Sequence, residues 1–106
     1  MTEVKVKQAV CVRRYRPGGK LGDAALYWLN PPLITTHWAP EGEPFEYVLL
    51  STRDGLTEMF PANHDGHVLG WSDIVTRDWP PEQRASHAAL LAAEGYVITE
   101  WGGTRR

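Results

Sequence analysis

The sequence predicts an α+β fold, in which an antiparallel sheet of four to six strands carries one C-terminal helix packed on one face. Three observations predict it: an alternating N-terminal segment, two Asp-Gly pairs between residues 45 and 71, and one helical pattern near the C-terminus. The chain has 106 residues, of which 42% are apolar and 23% charged, a balance typical of one folded domain. We therefore expect a single domain over residues 1–106, with residues 102–106 as a frayed tail.

The N-terminal segment alternates with a period of two. One face carries Val4, Val6, Val10 and Val12, and the other carries Lys5, Lys7, Ala9 and Cys11. A period of two predicts a strand with one buried face, and we expect the valine face to be the buried one. Residues 16–23, RPGGKLGD, are rich in turn formers and predict a loop.

The next segment is harder to place in the sheet. Residues 24–29 include Tyr27 and Trp28, which favour a strand. Asn30-Pro31-Pro32 is expected to end that strand, because proline cannot donate a hydrogen bond to a ladder. Residues 33–38 have β-branched character and are a candidate further strand, so the place of residues 21–40 in the sheet stays open.

The central part predicts a three-stranded antiparallel meander. Its three strand segments are residues 45–52, 56–60 and 67–71. Asp54-Gly55 suits a two-residue type I′ turn between the first two segments, and Asp65-Gly66 suits a second turn. Pro61 is expected to end the second strand. Residues 72–78 indicate neither strand nor helix clearly.

One strong helical pattern follows. Pro81 suits the first helical position and Gly95 suits the residue that closes the helix. At 100° per residue, the predicted apolar face consists of Ala85, Ala88, Ala89, Ala92 and Ala93, flanked by Leu91. His87 falls opposite that face, where we expect it to be exposed or bonded to Glu94. Residues 96–101 predict a last strand.

The net charge of −2 conceals an asymmetry. Residues 1–20 carry six basic side chains against one acidic, a balance of +5, and residues 21–104 carry three against twelve, a balance of −9. Arg105 and Arg106 supply the remaining +2. A basic segment on an acidic body predicts either a nucleic acid or acidic partner, or packing of that segment against its own fold. The second interpretation is favoured.

Two histidines flank an Asp-Gly pair in the stretch FPANHDGHVLGW, residues 60–71. His64 and His67, with His37 as a third ligand, are candidates for a metal site, but one pair lacks the spacing of known zinc sites. Because Asn63 and the residues after it are turn formers, the pattern favours a turn. We expect no bound metal.

No catalytic motif is recognisable. Cys11 is the only cysteine, so it forms no internal disulfide, and neither a neighbouring histidine nor an oxyanion glycine motif accompanies it. The loop RPGGK lacks the length and the trailing hydroxyl residue of a phosphate-binding loop. We expect no enzymatic activity and no cofactor. The sequence shows no secretion signal and no membrane span, so we expect a cytoplasmic location and no membrane partner.

Residues 47–96 carry a pattern of hairpin and helix-end residues. Its members are Phe60, Ala62, Asp65, Gly66, Val68, Trp71, His87, Leu90, Gly95 and Tyr96. In these residues the chain resembles small uncharacterised proteins of actinobacteriophages and their actinobacterial hosts. The resemblance covers about half the chain and implies a phage-type protein of no assigned activity, located in a bacterial host cell. It carries no catalytic residues across.

The leading functional hypothesis is a non-enzymatic module that binds a protein partner, of host or phage, or forms a homodimer. Five tryptophans in a small domain support it, because exposed tryptophan is enriched at interfaces. The candidate partner-binding residues are Arg13, Arg14, Tyr15, Arg16, Lys20, Trp28 and Trp38. The alternative hypothesis is nucleic-acid binding through the basic strand and loop, residues 5–20, where arginines would contact phosphates and an aromatic ring would stack on a base.

Overall fold

The computed structural model describes residues 7–15, 22–35, 42–70 and 74–99. They form six strands and two short helices: β1 (Lys7–Arg14), β2 (Asp23–Ile34), β3 (Pro44–Arg53), β4 (Leu56–Ala62), β5 (Ile74–Val75), α1 (Pro81–Arg84), α2 (His87–Ala93) and β6 (Tyr96–Thr99). The predicted α+β class is confirmed. The N-terminal half of the predicted valine face and the predicted tail, residues 102–106, lie outside the described residues.

The six strands form one mixed sheet in the order β5-β4-β3-β2-β1-β6. Neighbouring strands are antiparallel except that β6 runs parallel to β1, so the expectation of a wholly antiparallel sheet is wrong at this edge. The chain leaves one edge of the sheet at β5 and reaches the opposite edge only after both helices. The helices carry the chain from β5 across the sheet to β6, which then runs parallel to β1.

The prediction of one continuous helix is wrong, because the helix breaks at Ala85. The backbone carbonyl of Arg84 accepts a 2.7 Å hydrogen bond from the hydroxyl of buried Thr76, and Ala85 leaves the helical conformation. Ser86 then begins α2, since its side chain accepts a 3.0 Å hydrogen bond from the Ala89 N–H. Gly95 closes α2 at a φ of +91°, as predicted. None of the helices in the described ranges is long and apolar enough to cross a membrane.

One sheet face packs against α2, and we call it the helix face. Its buried cluster contains Ala9, Ala25, Tyr27, Leu29, Leu33, Val48, Leu50, Met59, Leu90, Leu91 and Tyr96. The predicted alanine face of the helix is wrong: Leu90 and Leu91 are the buried residues of α2, and Ala88, Ala92 and Ala93 are exposed. The restart at Ser86 sets the rotation of α2, and a leucine buries more apolar area than an alanine.

The other sheet face, which we call the second face, carries a smaller cluster of Leu26, Leu49 and Ala62. Tyr15, Tyr47 and Val68 pack against this cluster and partly cover it. The second face is therefore also shielded, in part by Tyr15, which follows β1, and by Val68, which follows β4.

In β1 the predicted strand is confirmed. Val10 on the predicted valine face is buried as expected, but Val12 on that face is exposed and Ala9 on the other face is buried. Ala9 is buried and half-buried Cys11 packs beside it on the helix face, whereas Val12 is 37% exposed. The register of β1 against β2 shifts between Cys11 and Arg13, which makes Val12 an extra, bulged residue.

Two predicted strand ends are also wrong. Strand β2 continues through Pro31 and Pro32, in a stretch where its register against β3 shifts between Trp28 and Leu33. Proline is tolerated at such an irregularity because the ladder is interrupted there. Pro61 lies within β4, beyond the two β4 residues that pair with β5.

The first predicted turn is confirmed, and the predicted third strand of the meander is wrong. Asp54 and Gly55 have φ values of 53° and 78°, both positive as a type I′ turn requires. Residues 67–70 form no strand, and Val68 makes a single bridge to Ala62. The strand that pairs with the outer side of β4 is β5 instead.

Candidate functional site

The stretch around Asp65-Gly66 forms a tight turn over residues 63–67. The side-chain oxygen of Asn63 accepts hydrogen bonds from the N–H groups of Asp65 and His67, each 3.0 Å long. The Gly66 N–H donates to the Asn63 carbonyl over 2.9 Å. The interpretation of this stretch as a turn is confirmed, and the turn is rigid because Asn63 satisfies its backbone donors.

Strand β1 holds the tip of the 63–67 turn. Arg13 Nη1 donates a 3.2 Å hydrogen bond to the Asp65 carbonyl, and the Arg13 guanidinium lies 5.9 Å from the centre of the Tyr15 ring. The Tyr15 hydroxyl lies directly against Gly66, which has a φ of +87°. Two of the predicted partner-binding residues, Arg13 and Tyr15, therefore contact the turn of their own fold.

Replacing Gly66 by alanine is expected to lower the free energy of unfolding by about 2 kcal/mol. A Cβ atom at Gly66 would strain a backbone at positive φ and would also collide with the Tyr15 hydroxyl. Urea unfolding followed by tryptophan fluorescence measures the change.

Gly55 provides the matched control for this substitution. It has a φ of +78°, and nothing lies within 4 Å of an added Cβ, so Gly55→Ala should cost only about 1 kcal/mol of backbone strain. In a Tyr15→Phe background, which removes the hydroxyl, the stability cost of Gly66→Ala should fall to that of Gly55→Ala. Equal costs for both alanine variants in the wild-type background would contradict the contact between Tyr15 and Gly66.

A groove of about 460 Å³ lies beside the 63–67 turn. It arises because the pairing of β3 with β4 ends at Tyr47 and Ala62, where the chain turns away while β3 extends to Pro44. We call this cleft the groove. Its lining residues are Pro44, Phe45, Glu46, Tyr47, Ala62, Asn63, His64 and Leu69.

Apolar, aromatic and polar residues line the groove in similar measure, with one acidic residue among them. The rings of Tyr47 and His64 lie 6.5 Å apart at an angle of 58°. Leu69 is 58% exposed, unusual for a leucine in a concave site. Glu46 is exposed, and because it directly precedes Tyr47 in β3 its side chain lies on the opposite face of the sheet from the Tyr47 ring. Exposed Leu69 and the Tyr47 ring offer an apolar contact surface beside polar groups.

The remaining predicted partner-binding residues are dispersed. Trp28 is half-buried and lies opposite Tyr47 in the pairing of β2 with β3. It is therefore adjacent to the part of β3 that lines the groove. Arg14 forms a 3.2 Å ion pair with Asp23, and both side chains are mostly exposed, so the pair contributes little stability. Arg16, Lys20 and Trp38 lie outside the described residues. The structure thus joins Arg13 and Tyr15 to the turn and leaves Arg14 apart.

His64 and His67 both lie on the exposed side of the turn. His64 Nε2 is 3.4 Å from the carboxylate of Asp65. Among the described residues, no group of three or more histidine, cysteine or acidic side chains is placed to bind a metal. His37, the third candidate ligand, lies outside them.

A hydrogen-bonded pair that the sequence did not reveal, half-buried His87 and buried Tyr27, joins α2 to β2. His87 Nε2 lies 3.0 Å from the Asp23 carbonyl, so it carries the proton and donates, and His87 Nδ1 accepts from the Tyr27 hydroxyl over 3.0 Å. Burial lowers the pKa of His87 below 6.5 and raises the pKa of Tyr27 to about 12. The expectation that His87 is exposed or bonded to Glu94 is wrong. Ser86 as the N-cap is the sequence signal that would have placed His87 in the first turn of α2.

Comparison of the chain with protein-family models, curated proteins and solved structures gives no match. The resemblance of residues 47–96 to actinobacteriophage proteins therefore stays a prediction. Its residues Phe60 and Ala62 are buried in β4, and Trp71 lies outside the described residues.

Proposed function

We propose that this chain is a small, non-enzymatic protein-binding module, and that its groove takes up a short segment of a partner. The groove carries the proposal, since it exposes Leu69 beside aromatic side chains in a concave site. Its volume of about 460 Å³ suits a few side chains of a peptide segment. Exposed apolar surface in a cleft typically marks a site of interaction.

The charges near the groove favour a protein partner over a nucleic acid. Glu46 in the groove would repel a phosphate backbone. Arg13 is bonded to the turn and Arg14 is paired with Asp23, so both are already engaged within the fold. Nucleic-acid binding through residues 5–20 stays the second hypothesis, because part of that segment lies outside the described residues. A cytoplasmic location and a phage-type origin also stay predictions.

A peptide selection tests the proposal. A displayed library of random dodecapeptides is panned against the immobilised chain, and the enriched peptides are then titrated against the purified protein. We expect Leu69→Asp to weaken their binding by roughly tenfold or more, because a charge would occupy the apolar part of the groove. Fluorescence anisotropy of labelled peptides measures the affinity.

Val97→Asp is the matched control. Val97 is 53% exposed on β6, at the sheet edge formed by β6 rather than beside the groove, so the same change of charge should leave peptide affinity unaltered. Selection of no peptide, or of peptides that bind Leu69→Asp as tightly as wild type, would contradict the proposal.

Two further measurements identify other occupants. If light scattering shows that the chain dimerises and that Leu69→Asp dissociates the dimer, the groove is occupied by a second copy of the chain. Salt-dependent binding of a single-stranded oligonucleotide, lost in Arg13→Ala, would favour the second hypothesis instead.

A further inference from the structure

We propose that the groove takes up a proline-containing segment of a partner in the polyproline II conformation. The inference rests on the proposed function and names the class of the partner segment. Three features of the second face support it: a row of rings that borders the groove, hydrogen-bond donors in and beside that row without partners, and charges at the groove that offset each other.

The rings of Trp28, Tyr47 and His64 form a row on the second face, which we call the ring row. Side chains alternate along a strand, and Tyr27 and Leu29 belong to the helix face, so Trp28 lies on the second face. Tyr47 packs on the second face directly opposite Trp28. The His64 ring follows at the β4 side, with its centre 6.5 Å from that of Tyr47.

The dimensions of the ring row suit one turn of a polyproline II helix. Side chains directly opposite on neighbouring strands stand about 5 Å apart, so the three rings span roughly 10 Å across the strands. One turn of polyproline II contains three residues and rises about 9 Å. Small Ala62 lies opposite Tyr47 on β4, and exposed Leu69 lines the groove beyond it. Aromatic-lined grooves bind proline-rich segments through such apolar contacts.

Donor groups in and beside the ring row have no partner in the fold. Within the described residues, neither the Trp28 indole N–H nor the Tyr47 hydroxyl has a hydrogen-bond partner. Asn63 lines the groove and uses its side-chain oxygen for the turn, so its side-chain NH₂ is left to donate outwards. Each proline offers a carbonyl acceptor and has no N–H. A segment rich in proline therefore complements a site in which donors prevail.

The charges at the groove favour a neutral segment. The Glu46 side chain lies on the opposite sheet face from the Tyr47 ring. At the 63–67 turn, Arg13 is bonded to the Asp65 carbonyl, and the Asp65 carboxylate lies 3.4 Å from His64 Nε2. The positive charge of Arg13 and the negative charge of Asp65 offset each other, so neither a basic nor an acidic segment gains an advantage there.

The test uses three peptides: acetyl-Pro-Pro-Leu-Pro-Pro-amide, the same peptide with alanine in place of each proline, and the mirror image of the first, built from D-residues. Each is titrated into the isotope-labelled full chain and followed by nuclear magnetic resonance. We expect the proline peptide to shift the Trp28 indole N–H and the amides of Tyr47 and His64, and to bind roughly tenfold tighter than the other two. The mirror image has the same composition but a helix of the opposite hand.

Two single-ring variants test the donors. Trp28→Phe removes the indole N–H and should weaken the proline peptide about fivefold, and Tyr47→Phe, which removes only the hydroxyl, should weaken it by a similar factor. Trp79→Phe is the matched control, because Trp79 packs on the helix face and the same change there should leave affinity unaltered. The amide spectrum shows whether each variant remains folded. Equal binding of the proline and alanine peptides, or full affinity in both Trp28→Phe and Tyr47→Phe, would overturn the inference.

The outcomes separate this inference from the proposal beneath it. If the proline and alanine peptides shift the groove amides equally and Leu69→Asp weakens both, the module stands and the preference for proline falls. The same holds if the displayed library is enriched in peptides without proline that shift the groove amides. If no peptide shifts the groove amides and the library yields no binder, the protein-binding function falls as well.

Discussion

Replacing Leu90 by alanine is expected to lower the free energy of unfolding by about 3 kcal/mol. Leu90 is 0% exposed and belongs to the cluster that α2 forms with the helix face. The loss combines the transfer energy of the removed carbons with the cavity that they leave. Because α2 has only seven residues and two of them are buried, few contacts remain to compensate. Urea unfolding followed by far-ultraviolet circular dichroism gives the value.

Leu69→Ala is the matched control, since it makes the same chemical change at a leucine that is 58% exposed. We expect it to cost less than about 0.5 kcal/mol. Ala92→Ser tests the predicted orientation of the helix, in which the alanine face would pack on the sheet. It should be nearly neutral, because Ala92 is exposed, whereas a helix buried through its alanines would lose stability. Similar costs for Leu90→Ala and Leu69→Ala would show that α2 does not pack on the sheet through Leu90.

The error in the helix prediction has one local cause and one tertiary cause. The alanine pattern assumes one continuous helix from Pro81, and a continuous helix fixes the direction of each side chain at 100° per residue. The hydrogen bond from Thr76 to the Arg84 carbonyl breaks that helix, and Ser86 starts a new one with another rotation. Ser86 is visible in the sequence as a capping residue, but the contact with Thr76 depends on tertiary structure.

The strands show the same division between local and distant causes. The Asp54-Gly55 turn was predictable because two residues determine its conformation. The continuation of β2 through Pro31 depends instead on a distant residue, since the Tyr96 hydroxyl donates a 2.6 Å hydrogen bond to the Pro31 carbonyl. The parallel pairing of β6 with β1 likewise follows from the path of the chain across the sheet and not from the composition of either strand.

The candidate site also combines a part that local sequence predicts with parts that depend on distant contacts. The turn at Asp65-Gly66 was predicted from its own residues. The groove could not be predicted, because its walls come from residues 44–47, 62–64 and Leu69, and it exists only because β4 ends before β3 does. The contact between Arg13 and the Asp65 carbonyl joins residues 52 positions apart. Sequence spacing carries no signal for it.

His87→Ala is expected to lower the free energy of unfolding by about 2.5 kcal/mol at neutral pH. The substitution leaves the Tyr27 hydroxyl, on a residue that is 1% exposed, without its histidine acceptor, and it removes the donor to the Asp23 carbonyl. A buried polar group without a partner costs its full desolvation energy. The edge-to-face contact of the Tyr27 and His87 rings, 5.9 Å between centres, is lost as well.

A double-mutant cycle with Tyr27→Phe isolates the bond between the two side chains. Tyr27→Phe leaves His87 Nδ1 without a donor, so each single variant should be destabilised, and the double variant should be less destabilised than the sum by about 1 kcal/mol. Additive losses would show that the hydroxyl and the ring do not bond. Tyr96→Phe, which removes a hydroxyl bonded to the Pro31 carbonyl, should add to His87→Ala without coupling, since it has a different partner.

The same pair makes stability depend on pH in a definite direction. Burial lowers the pKa of His87 from 6.5 in the folded chain, with Arg14 acting in the same sense and Asp23 in the opposite one, while Tyr27 stays protonated with a pKa raised to about 12. As the pH falls below 6.5, the unfolded chain therefore takes up a proton at His87 before the folded chain does. The state that binds more protons is favoured by acid, so stability is complete above this range and is lost as the pH falls towards the lowered pKa.

His87→Asn separates this contribution from every other titrating group. Asparagine does not titrate, so the variant should lose less stability between pH 7.5 and pH 5 than the wild type does. Unfolding in urea at a series of pH values measures both slopes. An unchanged slope in His87→Asn would mean that His87 binds protons equally in the folded and unfolded chains, and the buried pair with Tyr27 would then not hold a neutral ring.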